Sequence, residues 1–404
     1  MKKQKSKTSR RAFKYRLYPK RKQEKKMNET LETCRKTYNE LLEINQETYQ
    51  HTGKGLTKFD MNKCKCGLGV KTNNVHSQVV QNVSDRVSKA YQNFFRRVKQ
   101  KKAGKNIKVG YPRFKKDIKS FTYPQHGFKM NGSRIFLSNI GKVKIRIGKK
   151  QNKIEGKLKT LTIKKYPSGK WFAIFTSEIN IKPKKHKHPN RKIGIDVGLE
   201  KFATLSDGTM IENPRFLIES EQRLKTLNRR LSRKNKGSKR RLKARHNLAC
   251  LHEKIANQRH DFVHKFTRYI VNEYGVVAVE DLNIKGMVRH PYLAKHINDA
   301  SWGTFVRILE YKVESTGSQV EKVSPNNTSQ ICSQCGNKVL KTLAVRWHRC
   351  PVCGLNIDRD ENSAINILQK STVGTTESYA HGDESPLLAS LEDSSSMKCE
   401  AHVL

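Results

Sequence analysis

The chain has 404 residues, of which 83 are Lys or Arg and 35 are Asp or Glu, so its formal net charge is +48. An excess of this size makes the compact state repel itself unless a polyanion binds, which favours a nucleic-acid partner. With 35% hydrophobic residues, the chain can bury a core, which excludes a wholly disordered protein. It has no run of about 18 or more apolar residues, so we expect no membrane partner. The basic stretch before Lys14 lacks the apolar core of a signal peptide, and we expect a cytoplasmic, nucleoid-associated protein.

The first hundred residues predict one strand followed by two helices. Alternating aromatic and basic residues indicate a half-buried strand over 12–18. Apolar residues then recur at helical spacing over 20–51 and again over 75–101. We interpret the stripe on the second helix as core packing rather than a base-stacking surface. Its members are Val79, Val83, Val87, Ala90, Tyr91, Phe94, Phe95 and Val98.

Residues 111–180 change character and read as short alternating strands separated by Gly and Pro, which predicts a small β-barrel. The polar, basic segment 181–191 indicates a linker. Three short strands follow over 193–212, and 219–272 predicts a long helical insertion. The first half of that insertion is so rich in Lys and Arg that we expect it to contact phosphates. The residues assigned to this contact are Arg229, Arg230, Arg233, Lys234, Lys239, Arg240 and Arg241.

Three carboxylates lie in separate predicted elements, and two of them stand in apolar strands where the pattern favours Val or Ile. Asp196 interrupts the apolar strand Ile-Gly-Ile-Asp-Val-Gly-Leu, and Glu280 ends the strand Val-Val-Ala-Val-Glu. Asp360 falls near the start of an amphipathic helix. Hard oxygen ligands from separate elements suit a pair of Mg²⁺ or Mn²⁺ ions in phosphodiester cleavage, so we predict a catalytic two-metal site. The neighbouring acids Asp281 and Asp358 are the alternatives to these assignments.

Two C-x-x-C pairs, separated by fourteen residues, predict a zinc ribbon. The four thiols belong to Cys332, Cys335, Cys350 and Cys353, and a Gly follows each pair. Four thiolates leave no open position on the ion, so the predicted zinc is structural. We assign His348 to the surroundings of this site or to the surface, rather than to the ligand set.

Several motifs in a fixed order resemble the TnpB family of transposon-encoded RNA-guided DNA endonucleases, which are related to the smallest type V CRISPR effectors. In chain order they are Tyr-Arg-Leu-Tyr-Pro (15–19), Gly-Tyr-Pro-Arg-Phe (110–114), the Asp196 and Glu280 strands, Asp-Ala-Ser-Trp-Gly (299–303), Thr-Ser-Gln-x-Cys-Ser-x-Cys-Gly (328–336) and Asp-Arg-Asp-Glu-Asn-Ser-Ala-Ile-Asn-Ile (358–367). The match covers nearly the whole chain.

The resemblance implies an α/β protein with a β-barrel, in which a wedge-like barrel with a helical recognition insert precedes an RNase H-like (RuvC) nuclease domain with a zinc ribbon. Asp196, Glu280 and Asp360 match the family's catalytic acids. We therefore predict the following domains: 1–19 and 105–180 as the barrel, 20–104 as the insert, 181–192 as the linker, 193–325 and 355–370 as the nuclease, 326–354 as the ribbon, and 371–404 as a disordered tail.

The same resemblance implies two nucleic-acid partners, a guide RNA from the transposon end and double-stranded target DNA beside a short motif. Polar side chains suit the reading of that motif, and the matching regions hold Ser77, Gln81, Phe121 and Thr122. We expect one protein molecule per RNA. This division of labour leaves most of the specificity to guide pairing, while the protein holds the duplex by its backbone.

Three alternatives remain open from the residues. A nuclease-dead, RNA-guided repressor would be a binding module, although retention of all three acids argues against it. A DDE-type transposase shares the metal chemistry but joins strands, and the glutamate in the middle position suits it less well. A sugar-kinase or actin-like ATPase also opens with Gly-Ile-Asp-Val-Gly, but the charge and the cysteine pairs disfavour it.

Overall fold

A computed structural model describes residues 7–63, 72, 74–148, 154–181, 185–342 and 344–377. The chain divides into two compact units: Met1–Lys182 with Glu221–Ala256, and Pro183–Ser220 with Asn257–Leu404. The strands are β1 (Lys7–Tyr18), β2 (Ser120–Tyr123), β3 (Phe128–Asn131), β4 (Arg134–Leu137), β5 (Gly141–Arg146), β6 (Lys157–Lys165), β7 (Trp171–Ile181), β8 (Lys192–Val197), β9 (Lys201–Leu205), β10 (Met210–Glu212), β11 (Val276–Glu280), β12 (Gln319–Val323), β13 (Trp347–Arg349) and β14 (Asn356–Asp358). The helices are α1 (Arg21–Thr52), α2 (Lys58–Lys63), α3 (Ser77–Lys102), α4 (Phe216–Glu219), α5 (Glu221–Ser232), α6 (Lys239–Glu273), α7 (Ile284–Met287), α8 (Ala294–Ala300), α9 (Trp302–Thr316) and α10 (Arg359–Glu377).

The first unit is built on a seven-stranded antiparallel sheet that closes almost into a barrel, in the order β2-β6-β7-β1-β5-β4-β3. Strand β1 is its longest member and pairs with both β7 and β5. Tyr15 and Leu17 of β1 are buried in the core, as the alternation over 12–18 predicted. The barrel prediction is confirmed.

Helices α1 and α3 pack together beside the barrel, and the predicted spans of both helices are close to the observed ones. Their shared core contains Val79, Val83 and Val87 of α3. The same stripe does not stay buried, because Phe95 is 55% exposed and Phe94 is only partly covered. Core packing is therefore the wrong interpretation for Phe94 and Phe95, whose rings contact each other, Tyr91 and Tyr111, whereas Tyr91 also packs against the core.

The basic insertion is two helices rather than one long helix. Helix α5 ends at Ser232 and α6 begins at Lys239. Gly237 in the intervening turn has φ of +86°, a conformation that costs glycine little but strains other residues.

The second unit contains a five-stranded sheet in the order β10-β9-β8-β11-β12. Strands β10, β9 and β8 pair antiparallel, whereas β8, β11 and β12 run parallel. The three short strands predicted over 193–212 are thus present. Helix α10 packs on β8 and β11, with Ile367 and Ala278 buried between them.

Helix α10 also corrects the predicted tail. It continues to Glu377, so residues 371–377 are helical, and Ser371 is buried with its hydroxyl donating to the carbonyl oxygen of Leu368. The rest of the predicted tail, 378–404, lies outside the described residues. Within the described ranges, no helix is both long and apolar enough to cross a bilayer.

Candidate nuclease centre and cysteine cluster

The three predicted acids lie at one end of the parallel strands. Ile195 of β8 is in register with Val279 of β11. The next residues, Asp196 and Glu280, therefore lie side by side at the carboxyl ends of two adjacent parallel strands. Asp360 is the second residue of α10, the helix that packs on β8. All three carboxylates therefore reach the same edge of the sheet.

Glycines on either side of Asp196 allow this convergence. A β-carbon on Gly194 would lie 2.0 Å from the carbonyl oxygen of Ala364 in α10, so only glycine allows the helix and strand backbones to meet. A β-carbon on Gly198 would lie 2.9 Å from the carbonyl oxygen of Lys201 and 4.0 Å from Asp360 Oδ2. The Gly-Ile-Asp-Val-Gly sequence thus places the Asp196 strand directly against the start of α10.

The carboxylates affect one another electrostatically. Burial raises the pKa of Asp196 well above its usual value, and the negative charges of Glu280 and Asp360 raise it further. A hydrogen bond from Ser363 lowers it in part. Burial also raises the pKa of Glu280, while a hydrogen bond from Thr328 opposes that shift.

Asp360 is held by its neighbour. The guanidinium group of Arg359 donates from Nε and Nη2 to Asp360 Oδ1 at 2.9 and 2.8 Å. Such charge-assisted bonds fix the orientation of a carboxylate. Positive charge at this edge of the sheet is therefore supplied in part by the protein.

The three clustered carboxylates form a donor set that suits a hard dication, since a bound cation would relieve the repulsion that raises the pKa of Asp196. The ligand atoms of these acids are spaced more widely than those of the four cysteines. Within the described ranges, the cysteines are the one group of three or more His, Cys, Asp or Glu ligand atoms lying within 4.8 Å of one another. Support for a metal at the acids therefore comes from their chemistry and convergence.

The two alternative acids have other roles or positions. Asp358 Oδ1 accepts hydrogen bonds from the backbone nitrogens of Asp360 and Glu361 at 2.8 and 3.3 Å, which caps the start of α10. Asp281 is exposed at the end of β11. These contacts favour the original assignment of Glu280 and Asp360.

The four predicted cysteines come together as two matching turns. The Sγ atoms of Cys332 and Cys353 are 3.6 Å apart, and those of Cys335 and Cys350 are 3.5 Å apart. Four thiolates at about 2.3 Å from a tetrahedral zinc ion would be separated by about 3.8 Å. The cluster can therefore hold zinc with all four positions filled.

His348 is not a surface residue. It is fully buried, and its Nδ1 accepts a hydrogen bond from the Lys341 ammonium group. Its pKa is lowered, first by burial and then by the charge of Lys341. The surface alternative is therefore wrong.

Of the predicted motif-reading residues, two have exposed side chains, and the other two have side chains that are buried or hydrogen-bonded within the protein. Ser77 and Gln81 are exposed one turn apart at the start of α3. Phe121 is only 1% exposed inside the barrel core, so its ring cannot reach a base, and this assignment is corrected. The hydroxyl of Thr122 is bonded to Arg86 Nη2 and to Thr162 Oγ1 at 3.1 and 2.9 Å.

The predicted phosphate-contacting residues are mostly exposed on α5, on α6 and in the turn between them. This holds for Arg229, Arg230, Arg233, Lys234, Lys239 and Arg240. Arg241 differs, because its Nη1 donates to the carbonyl oxygens of Leu231 and Lys234 at 2.9 and 2.7 Å. Its guanidinium group secures the turn between the two helices.

Sequence reasoning missed the residues that touch the acids. Thr328, Arg359 and Ser363 lie inside the motifs that carried the family resemblance, but their roles depend on contacts across the fold. The motifs themselves were the only signal that could have pointed to them.

Comparison with known proteins gives three matching family descriptions. "Probable transposase" matches residues 176–290, "Cas12f1-like, TNB domain" matches 302–367, and "Helix-turn-helix domain" matches 9–54. In the structure, the last stretch is strand β1 followed by the single long helix α1. Its description as a helix-turn-helix therefore does not match the observed elements.

Two curated relatives match most of the chain. "Putative RNA-guided DNA endonuclease InsQ" of Escherichia coli K12 is 31% identical over 382 residues, covering 88% of this chain and 91% of its own length. "Putative RNA-guided DNA endonuclease" of Streptomyces pristinaespiralis is 31% identical over 375 residues, covering 89% and 88%. Among solved structures, "Cryo-EM structure of the Cas12f1-sgRNA-target DNA complex" matches with a TM-score of 0.55 and 15% identity, covering 89% of this chain and 98% of that chain, which shows a shared fold.

The barrel, the acid-bearing sheet and this structural match define a protein with a Cas12f-like fold. The relatives above 30% identity match over nearly their whole length. The chain belongs to the TnpB family, as its motifs predicted.

Proposed function

We propose that this protein is an RNA-guided, divalent-metal-dependent DNA endonuclease that cuts beside a short target-adjacent motif. The observation that carries the proposal is the convergence of Asp196, Glu280 and Asp360 at one sheet edge, where the latter two raise the pKa of the first. The order of the five-stranded sheet, with acids at the carboxyl ends of β8 and β11, supports a RuvC-type nuclease domain. The names of the two relatives described above support the guided activity.

In this proposal the three carboxylates would hold Mg²⁺ or Mn²⁺. When bound, two such ions supply an activated water and stabilise the leaving oxygen. The protein's own contribution is to orient the carboxylates. The hydroxyl of Thr328 donates a hydrogen bond to Glu280, that of Ser363 donates to Asp196, and the guanidinium group of Arg359 donates to Asp360. Because protons compete with cations for these groups, activity should fall as the pH is lowered.

The cysteine cluster would take a structural zinc ion, since its four thiols leave no position for substrate. Folding of this segment should therefore require the ion.

Nucleic acid would be held by the exposed cations of α5 and α6, whose charges can replace the counterions of a phosphate backbone. A guide RNA from the transposon end and double-stranded DNA are the proposed partners, with one protein molecule per RNA. Ser77 and Gln81 are the remaining proposed readers of the motif. A location with the nucleoid in the cytoplasm follows from this function and stays a prediction.

The test compares neighbouring acids. Protein co-expressed with its transposon end should purify with a bound RNA and cut DNA that matches the guide when Mg²⁺ is present. Asp196→Ala and Glu280→Gln should abolish cutting and leave RNA binding intact. Asp281→Asn is the matched control, because that side chain is adjacent to Glu280 but exposed, and it should cut normally.

Each alternative predicts a different result in the same experiment. Guided binding without cutting in any Mg²⁺ or Mn²⁺ concentration would indicate a repressor. Products in which transposon ends are joined to new DNA would indicate a transposase, the activity named by the matching family description. An RNA-free preparation that binds only transposon ends would contradict guidance by RNA.

A further inference from the structure

The turn that precedes Cys332 contacts one of the three acids directly and reaches a second through one serine side chain. The hydroxyl of Thr328, a residue only 2% exposed, donates to Glu280 Oε1 at 2.7 Å. The hydroxyl of the next residue, Ser329, lies 3.5 Å from that of Ser363, which itself hydrogen-bonds to Asp196. We call residues 326–354 the cysteine segment. Two consecutive residues near its start therefore connect it to Asp196 and Glu280, the two acids carried by strands.

The other side of the cysteine segment reaches the third acid. The backbone nitrogen of Arg359 donates to the carbonyl oxygen of Arg346 at 2.7 Å, and its Nη1 donates to that of Val345 at 3.2 Å. The remaining guanidinium nitrogens hold Asp360. Every acid is thus connected to the cysteine segment, either directly or through one hydrogen-bonded side chain.

Helix α10 fastens the turn with two buried amides. Asn362 accepts from the backbone nitrogen of Ser333 at 2.9 Å and donates to the carbonyl oxygen of Ile331 at 2.8 Å. Asn366 donates to the carbonyl oxygens of Thr328 and Ile331 at 2.8 and 2.7 Å. Both side chains are at most 4% exposed. Buried polar groups require hydrogen-bond partners, so these bonds fix the position of the turn relative to α10.

We infer that the cysteine segment is a positioning element of the nuclease centre, and that Thr328 is the residue through which it sets the orientation of Glu280. The inference rests on the proposed function for the role of the acids. Groups that hydrogen-bond to metal-binding carboxylates orient them, and their loss typically lowers metal affinity or activity by about 10–100-fold. A partly buried Glu280 without its donor would be free to rotate.

The experiment compares three variants of the full chain purified with its RNA. Thr328→Val removes the hydroxyl at nearly constant shape, and Thr328→Ser restores a donor. Thr342→Val is the matched control in the same segment, because that side chain is exposed. The readouts are zinc content, melting temperature, bound RNA, Mn²⁺ affinity from the electron paramagnetic resonance signal of free Mn²⁺, and the cleavage rate across a Mg²⁺ titration.

Thr328→Val should keep its zinc and RNA but lose Mn²⁺ affinity by about 10–100-fold, with a matching rise in the Mg²⁺ concentration needed for cleavage. Thr328→Ser should recover most of both, and Thr342→Val should match the unmodified protein. Unchanged Mn²⁺ affinity in Thr328→Val, an equal loss in Thr342→Val, or no recovery in Thr328→Ser would overturn the inference. If the unmodified protein cuts no DNA, the proposed function fails, while the Mn²⁺ comparison still decides whether Thr328 positions Glu280.

Discussion

Gly194 on strand β8 lies so close to Ala364 on helix α10 that a β-carbon would stand 2.0 Å from the Ala364 carbonyl oxygen. The contact joins the strand that carries Asp196 to the helix that carries Asp360. Backbone meets backbone here, so no side-chain rotation can relieve a larger residue. The distance between two of the acids therefore depends on a residue without a side chain.

Gly194→Ala should accordingly separate the helix from the strand. We expect a loss of about 3 kcal/mol or more of stability in the second unit and a loss of cleavage, because overpacking forces the backbone to shift. Thermal melting and a cleavage assay measure the two effects. Gly303→Ala is the control in the same unit, since its β-carbon would meet only Ile284 Cδ1 at 3.5 Å, and it should melt close to the unmodified protein. Equal melting of both variants would contradict the close contact.

Asp196→Asn tests the electrostatics of the centre. The pKa of Asp196 is raised in the folded state, so ionisation of this side chain disfavours folding. In the unfolded chain an Asp has a pKa of about 4, and the loss of folding stability grows as the pH rises above that value. Without divalent ions at pH 7.5, the neutral variant should melt higher than the unmodified protein, on the order of 2 °C or more. The difference should shrink towards pH 4, where both side chains are neutral. Adding Mg²⁺ should stabilise the unmodified protein more than the variant, and the reverse order would contradict the model of clustered charges.

Alternation and helical spacing predicted the barrel strands, helices α1 and α3, and the strands that carry Asp196 and Glu280. These signals are local, because a strand or helix face is set by residues close together in the chain. Helical spacing failed for Phe94 and Phe95, and the family resemblance failed for Phe121. Spacing marks an apolar face, but only the fold decides whether another element covers it.

The contacts that complete the centre are of another kind. Thr328 reaches Glu280 across 48 positions, and Asn366 reaches Thr328 across 38. Such bonds depend on where a turn and a helix finally lie, so no local pattern predicts them. The cysteine pairs were an exception, since the tetrahedral geometry of zinc fixes the spacing of its ligands.

Asp299, part of the Asp-Ala-Ser-Trp-Gly motif, is a buried carboxylate with a structural role. Its side chain is 3% exposed, accepts from Arg259 Nη2 at 2.7 Å and also accepts from the backbone nitrogen of Leu217 at 3.0 Å. Asp299→Asn should lower stability by about 2–3 kcal/mol, because the Arg259 guanidinium, which is 22% exposed, loses its counter-charge. Asp261→Asn, which breaks the exposed pair with Lys265, should leave the melting temperature nearly unchanged. Similar melting of the two variants would show that burial does not strengthen the Asp299 pair.

Thiol alkylation gives a direct test of metal in the cysteine cluster, because its members differ in exposure. Cys335 is exposed in the structure, so a free thiol there should react with iodoacetamide at once, whereas a zinc-bound thiolate should be protected. Peptide mapping should therefore find Cys335 unlabelled until a zinc chelator is added, together with a release of one zinc ion per chain. Cys250, which is partly exposed, should react with or without chelator. Cys34 is the opposite control, because burial raises its pKa to about 11 and it should react only after unfolding. Immediate labelling of Cys335 in freshly purified protein would remove the case for a closed metal site.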